Sequence, residues 1–254
     1  MKRRKFLQSS VVASALPLSI AASQTLSQPT ETAKEWYELR TYEMKFRGNQ
    51  NLLTDYLKNV LQPAFKRKGV NHFMLFKELG NSDPANIWVL ISYPDTNVYL
   101  RSLDLSNDAE YVAAATSYHA LPLDNAVYNR FTSMLLLAFD GLPKMMEPVD
   151  GASIFELRTY EGYSEDAVRR KISMFNNEEI TLFLKVKLNP VFFGDMVAGP
   201  FRPALTYMLN FKDMAERDAN WNDFLASPEW KAMVSMPEYA NTVSNIRKVF
   251  LKPA

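Results

Sequence analysis

The sequence predicts an α+β fold made of two tandem copies of one β-α-β-β-α-β unit, on three observations. The hexapeptide Glu38-Leu39-Arg40-Thr41-Tyr42-Glu43 recurs unchanged 118 residues later as Glu156-Leu157-Arg158-Thr159-Tyr160-Glu161. At the same offset Phe65 answers to Phe183, Asn71 to Asn189, Tyr93 to Phe211 and Asp95 to Asp213. Strand-like and helix-like segments then follow one another in the same order in both halves. Two copies are too few for a solenoid, so they read as a duplicated domain.

Each element has its own reason. Trp36 to Met44 is rich in aromatics and threonine, as a strand is. Asn51 to Lys68 carries Leu52, Leu53, Tyr56, Leu57, Val60 and Leu61 at helical spacing and stops at Gly69. Pro63 falls late in it and should kink it. His72 to Leu79 and Ile87 to Tyr93 read as strands across the turn Gly80-Asn81-Ser82-Asp83-Pro84. Asn97 to Leu103 and Ala109 to Tyr118 read as helices, and Val127 to Phe139 as a last strand. In the second copy Asp213 and Glu216 form a capping box ahead of Trp221, Phe224 and Leu225. Ser227-Pro228-Glu229 opens a further helix, and Asn241 to Leu251 closes the sheet.

This order is the ferredoxin-like split βαβ. Helices cover one face of such a sheet, and the other face needs a partner. The second copy supplies one, so the two sheets are expected to pack face to face as an intramolecular pseudo-dimer. Gly, Pro and Asp at both ends mark residues 140–151 as a linker. The domains are then 34–139 and 152–254, each about 100 residues, an ordinary domain size.

The first residues read as an address. Lys2-Arg3-Arg4-Lys5-Phe6-Leu7 is a basic start, and Val11 to Ile20 is an apolar stretch too short to span a bilayer. Ser19 and Ala21 are small residues suited to cleavage after Ala21, with Ser23 an alternative. The pattern, with Arg3 and Arg4 adjacent, resembles a bacterial twin-arginine signal. Residues 1–21 are expected to be a signal peptide and 22–33 a flexible spacer, which makes the protein periplasmic or secreted. Loss of Lys2, Arg3, Arg4 and Lys5 takes the formal net charge from +1 to −3. Such a balance argues against nucleic-acid partners, and no 18-residue apolar run exists to span a membrane. With no cysteine, disulfides, thiolate metal sites and cysteine nucleophiles are excluded.

The strand Tyr37-Glu38-Leu39-Arg40-Thr41-Tyr42, its twin Phe155-Glu156-Leu157-Arg158-Thr159-Tyr160, and Pro228-Glu229-Trp230 resemble the NIPSNAP family, of the dimeric α+β barrel superfamily. The first copy departs from it, with Ala109-Glu110-Tyr111 where the second has Pro-Glu-Trp. The resemblance implies tandem domains of undefined biochemical activity.

Strand alternation puts Glu38, Arg40 and Tyr42 on one face and Glu156, Arg158 and Tyr160 on its counterpart. Both faces of a central strand are covered, and a covered charge needs a partner. One reading is a polar, tyrosine-lined cavity between the sheets that binds a small apolar or aromatic molecule. The other is a structural pair of salt bridges. His72 and His119 stand alone, without the spacing of a metal site, so no metal is expected. The resemblance to barrels with haem-binding and oxygenase members makes His72, Trp88 and Asn71 catalytic candidates, with Tyr42 beside them. Haem is the alternative to having no cofactor, with His72 as its ligand. Met145-Met146 could line an apolar surface. Two functions remain: an exported module that binds a small molecule or a partner, alone or as a homo-oligomer, or an exported barrel enzyme, either a cofactor-free oxygenase or a haem protein.

Overall fold

The computed structural model describes residues 33–80 and 83–254. The expected signal peptide, with Arg3 and Arg4, and the spacer up to residue 32 lie outside the described residues.

The first half runs β1 (Trp36–Met44), α1 (Gln50–Tyr56), α2 (Gln62–Arg67), β2 (His72–Leu79), β3 (Ile87–Tyr93), α3 (Thr96–Ser102), α4 (Ala109–His119) and β4 (Tyr128–Ala138). The second runs β5 (Ile154–Glu161), α5 (Glu165–Met174), α6 (Ile180–Lys185), β6 (Pro190–Ala198), β7 (Ala204–Phe211), α7 (Met214–Ala226), α8 (Pro228–Val234) and β8 (Asn245–Pro253). Side-chain caps fix the helix starts. Asp95 accepts from Val98 N–H, Asp108 from Tyr111, Ser164 from Ala167, Asp213 from Glu216 and Ser227 from Trp230.

All eight strands form one closed barrel in the order β1-β3-β2-β8-β5-β7-β6-β4, and every neighbouring pair is antiparallel. The first half contributes the order β4-β1-β3-β2, and the second β8-β5-β7-β6. The sheets are therefore not two separate layers. Their edges are hydrogen-bonded over short seams, Phe76–Leu79 of β2 to β8 and Leu135–Ala138 of β4 to β6, which closes the sheet on itself.

Closure makes three apolar layers. Leu39, Phe76, Leu90, Leu136, Phe155 and Leu157 belong to the barrel interior. The outer face of the first half packs Ile87, Val89 and Ile91 under Leu53, Leu57 and Phe65. The second half packs Tyr207, Leu209 and Phe211 under Phe175, Phe183 and Phe224. Strand β3 is buried along its whole length because it faces two of these layers.

The helix expected to kink at Pro63 instead passes through a π-helical turn, Leu57–Leu61, between α1 and α2. The second half has the same turn at Phe175–Glu179, where Thr181 stands in place of Pro63. Proline is therefore not its cause. The widened turn recurs with the packing position, as π-bulges often do near functional sites.

The linker is pinned. Glu35 Oε2 accepts from Met145 N–H at 2.8 Å, Met146 N–H donates to Val191 O at 2.8 Å, and Val149 N–H donates to Asn210 Oδ1 at 2.8 Å. No helix among the described residues is long and apolar enough to cross a membrane.

Candidate functional site

The repeated Glu–Arg–Tyr face points away from the barrel axis. Its alternate residues, Leu39 and Leu157, fill the interior, so Glu38, Arg40, Tyr42 and their counterparts lie between the sheet and its helices. The expected polar cavity between the sheets is thus corrected. The interior there is apolar, and each half holds its own polar cluster under its own helical layer.

In the first half the cluster is closed. Arg40 Nε and Nη2 donate to the two oxygens of Glu38 at 2.7 and 2.8 Å. Ser133 Oγ and Tyr93 OH donate to the same carboxylate at 2.7 and 2.8 Å. Burial pushes the Glu38 carboxyl up, but the bonds from Arg40, with those from Ser133 and Tyr93, outweigh it and hold it below the ordinary glutamate value. The guanidinium is held between the rings of Phe65 and Phe131, at 5.1 and 5.5 Å.

In the second half the same strand residues are partnered differently. Glu156 is fully buried and is taken by α7: Arg217 Nε and Nη2 donate at 2.8 and 2.9 Å, and Trp221 Nε1 at 2.9 Å. Arg158 Nη1 stays 3.6 Å from Glu156 Oε1, beyond hydrogen-bond reach. The Arg158 side chain is only 14% exposed, and its Nε is buried without a partner. Its guanidinium lies 4.4 Å from the centre of the Trp221 ring.

Arg158 borders a cavity of about 500 Å³ whose wall includes Tyr160, Lys171, Glu179, Trp230 and Tyr239. Lys171 Nζ donates to Glu179 Oε2 at 2.6 Å, both buried. Burial raises the Glu179 carboxyl above its ordinary value, against the pull of Lys171 and Arg158. Glu179 is the last residue of the π-helical turn, so that turn delivers it to the wall. Tyr160 OH is bonded to Tyr207 OH at 2.8 Å, and burial pushes the Tyr160 hydroxyl up to about 12, so it is a neutral phenol at ordinary pH.

The other candidates are not brought together. Trp88 lies in the barrel interior opposite Phe76, whereas His72 lies opposite Ser92. Four residues of strand separate them, about 13 Å at the usual rise. Asn71 is committed to Glu35, with Nδ2 donating to Oε1 at 2.6 Å. Tyr42 is on the outer face, across the sheet from Trp88. His72 Nδ1 is 3.4 Å from the exposed Glu147, and His119 Nε2 is 3.4 Å from Tyr111 OH. Among the described residues no group of three or more His, Asp or Glu is placed to hold a metal ion. Met145 packs against the interior cluster, whereas Met146 is exposed.

Sequence reasoning missed Lys171, Glu179 and Arg217. A signal for the first two was present. At the 118-residue offset they stand where the first copy has Leu53 and Leu61, so two charges replace apolar residues on a face that must be buried.

Residues 155–254 match the model of the NIPSNAP family. No curated protein matches the chain. Among solved structures, a provisionally named monooxygenase from Lactobacillus acidophilus aligns with a TM-score of 0.54 and 9% identity, over 86% of this chain and 93% of that one. Another, from Fusobacterium nucleatum, gives 0.56 and 11%, over 87% and 93%. These two likenesses show the fold alone. A NIPSNAP family protein of unknown function from Agrobacterium tumefaciens aligns at 17% identity over 43% of this chain and 95% of its own, with a TM-score of 0.37.

Proposed function

We propose that this chain is an exported tandem NIPSNAP-like protein that binds a small molecule in the helix-covered cavity of its second half. One observation carries the reading: Arg158 Nε is buried and unpartnered at the wall of a cavity of about 500 Å³. A buried charged group without partners is costly; Nε itself has no open surface, but the outer N–H groups of the same guanidinium are not sealed off, and a ligand entering the cavity would supply them with a partner. The cavity's size and its mainly apolar wall, with Tyr160, Trp221, Phe224, Trp230 and Tyr239 in it, are those of small-molecule sites.

Export is supported by the basic start at Lys2 to Lys5 and the short apolar stretch behind it. The periplasm or the medium is the destination proposed. The tandem reading, ferredoxin-like domains at 34–139 and 152–254 paired as a pseudo-dimer, is supported by the equal strand orders of the halves and the equal placement of their π-helical turns. No cofactor is assigned. An enzyme built on His72, Asn71 and Trp88 has little support, because Asn71 and His72 line one pocket while Trp88 lies apart from it in the barrel interior.

The test is a ligand-observed NMR screen of small aromatic fragments against the processed chain, repeated on Val234→Trp, which fills the cavity from an exposed lining position. Fragments that bind the wild type and are lost in the variant are expected. An empty screen, or hits indifferent to the plug, would overturn the reading.

A further inference from the structure

We infer that the second-half cavity is built for a planar aromatic monoanion, an aromatic carboxylate being the simplest form, with its charge on Arg158 and its ring against the wall of Trp230, Tyr160 and Tyr239. The inference rests on the binding function proposed above and names the class of ligand.

The charges around the cavity select the anion. Lys171 and Glu179 satisfy each other at 2.6 Å. Glu156 faces two guanidiniums but accepts from only one of them, Arg217, at 2.8 and 2.9 Å, and takes its third hydrogen bond from Trp221. Arg217 also pairs with Asp218 at 2.9 Å, but that carboxylate is exposed and outside the cavity wall, so in the wall Arg158 is the cation without a hydrogen-bonded carboxylate, on a side chain mostly out of water. Guanidinium recognises a carboxylate through parallel N–H donors, the geometry Arg40 shows with Glu38. A dianion is disfavoured, because its second charge finds no further free cation and meets Glu179.

The comparison between halves isolates this feature. Arg40 and Arg158 occupy the same place in an identical hexapeptide, yet Arg40 is closed off by Glu38. The difference lies in the helix that follows the third strand of each half. At the repeat offset Tyr99 stands where the second half has Arg217, so nothing in the first half draws the glutamate away from its strand neighbour. The second half also replaces Tyr111 by Trp230 and Leu53 and Leu61 by Lys171 and Glu179, and all three changes line the cavity. An aromatic wall gives apolar area and flat faces for a ring, and the freed guanidinium gives the charge.

The experiment is calorimetric titration of the processed chain with 2-naphthoate, its neutral isostere 2-naphthamide, and naphthalene-2,6-dicarboxylate, with Trp fluorescence as a second readout. One 2-naphthoate per chain is expected, bound at least tenfold tighter than either other compound. Arg158→Met should abolish that preference and leave 2-naphthamide unchanged. Arg217→Met keeps Arg158 but returns Glu156 to it, and should weaken 2-naphthoate as well, so the inference stays testable if Arg158→Met folds poorly. Equal binding of acid and amide, or a preference that survives both variants, overturns the anion assignment while leaving a binding cavity. Binding of neither compound also overturns it, and the broader reading then falls only if the fragment screen is empty too.

Discussion

Glu156 is paired with Arg217, a residue of α7, and leaves Arg158 on its own strand 3.6 Å away. The same carboxylate in the first half, Glu38, holds its strand neighbour Arg40 at 2.7 Å. Two identical hexapeptides thus sit in different electrostatic settings, and the helix over each strand sets the difference. A repeated motif fixes which residues share a face. It does not fix their partners, which come from elsewhere in the chain.

Removal of Arg217 should hand Glu156 back to Arg158. In Arg217→Met we expect the guanidinium to close onto the carboxylate at ordinary hydrogen-bond distance, so the cost in stability is about 1 kcal/mol or less. Arg40→Met leaves Glu38 buried with no replacement cation and should cost about 3–5 kcal/mol. Urea denaturation of both variants at pH 7 checks the contrast, and equal losses would refute it.

Glu38 gives stability a definite acid dependence. Its folded carboxyl lies below the ordinary value because Arg40, Ser133 and Tyr93 outweigh burial. Such a group contributes stability that is present above the unfolded glutamate value, about 4.3, and lost as pH falls through the depressed folded one. Glu38→Gln should therefore be far less stable than wild type at pH 7 and approach it below about pH 4. A stability difference that stays constant from pH 7 to pH 3 would count against this assignment.

Lys171 and Glu179 form a buried pair where the first half has two leucines. Breaking it by Lys171→Leu alone should cost about 3–5 kcal/mol, whereas Lys171→Leu with Glu179→Leu should be neutral or stabilising by about 1–4 kcal/mol. The pH dependence has the opposite sign to that of Glu38. Burial raises the folded Glu179 carboxyl, so the native state holds its proton longer than the unfolded chain does. Stability then falls as pH rises from the ordinary glutamate value through the raised one. The double variant should lack that fall, and a double-mutant cycle followed from pH 4 to pH 8 measures both effects.

The elements were legible because their signals are local. Capping by Asp213 and Ser227, the period-2 strands around Glu38 and Glu156, and the run of elements inside each repeat all lie within short windows of sequence. The covered Glu–Arg face was legible for the same reason. Which side of the sheet covers it was not, since alternation names two faces without saying which meets the helices. Arg217 was missed because its partner is 61 residues away, and His72 and Trp88 looked like a pair because nothing in a sequence shows the strand length between them. The barrel closure was hidden in the same way, since a sheet edge carries no residue signature when it is paired along the backbone.

That closure has one position where size alone is decisive. Gly194 lies in β6 on the seam with β4, opposite Ala138. A β-carbon there would stand 2.7 Å from Leu136 Cβ, an atom fixed to the backbone that cannot rotate away. Leu136 is fully buried in the barrel interior, so the clash can be relieved only by moving the two strands apart. Gly194→Ala should cost about 1–3 kcal/mol, the range for an overpacked core. The loss should also be local. Hydrogen exchange should quicken at the amides that join β4 to β6 and stay unchanged at the β2–β8 seam, because the two seams are separate ladders on opposite sides of the barrel. If both seams lose protection equally, the barrel opens as one unit and the glycine is not a local constraint.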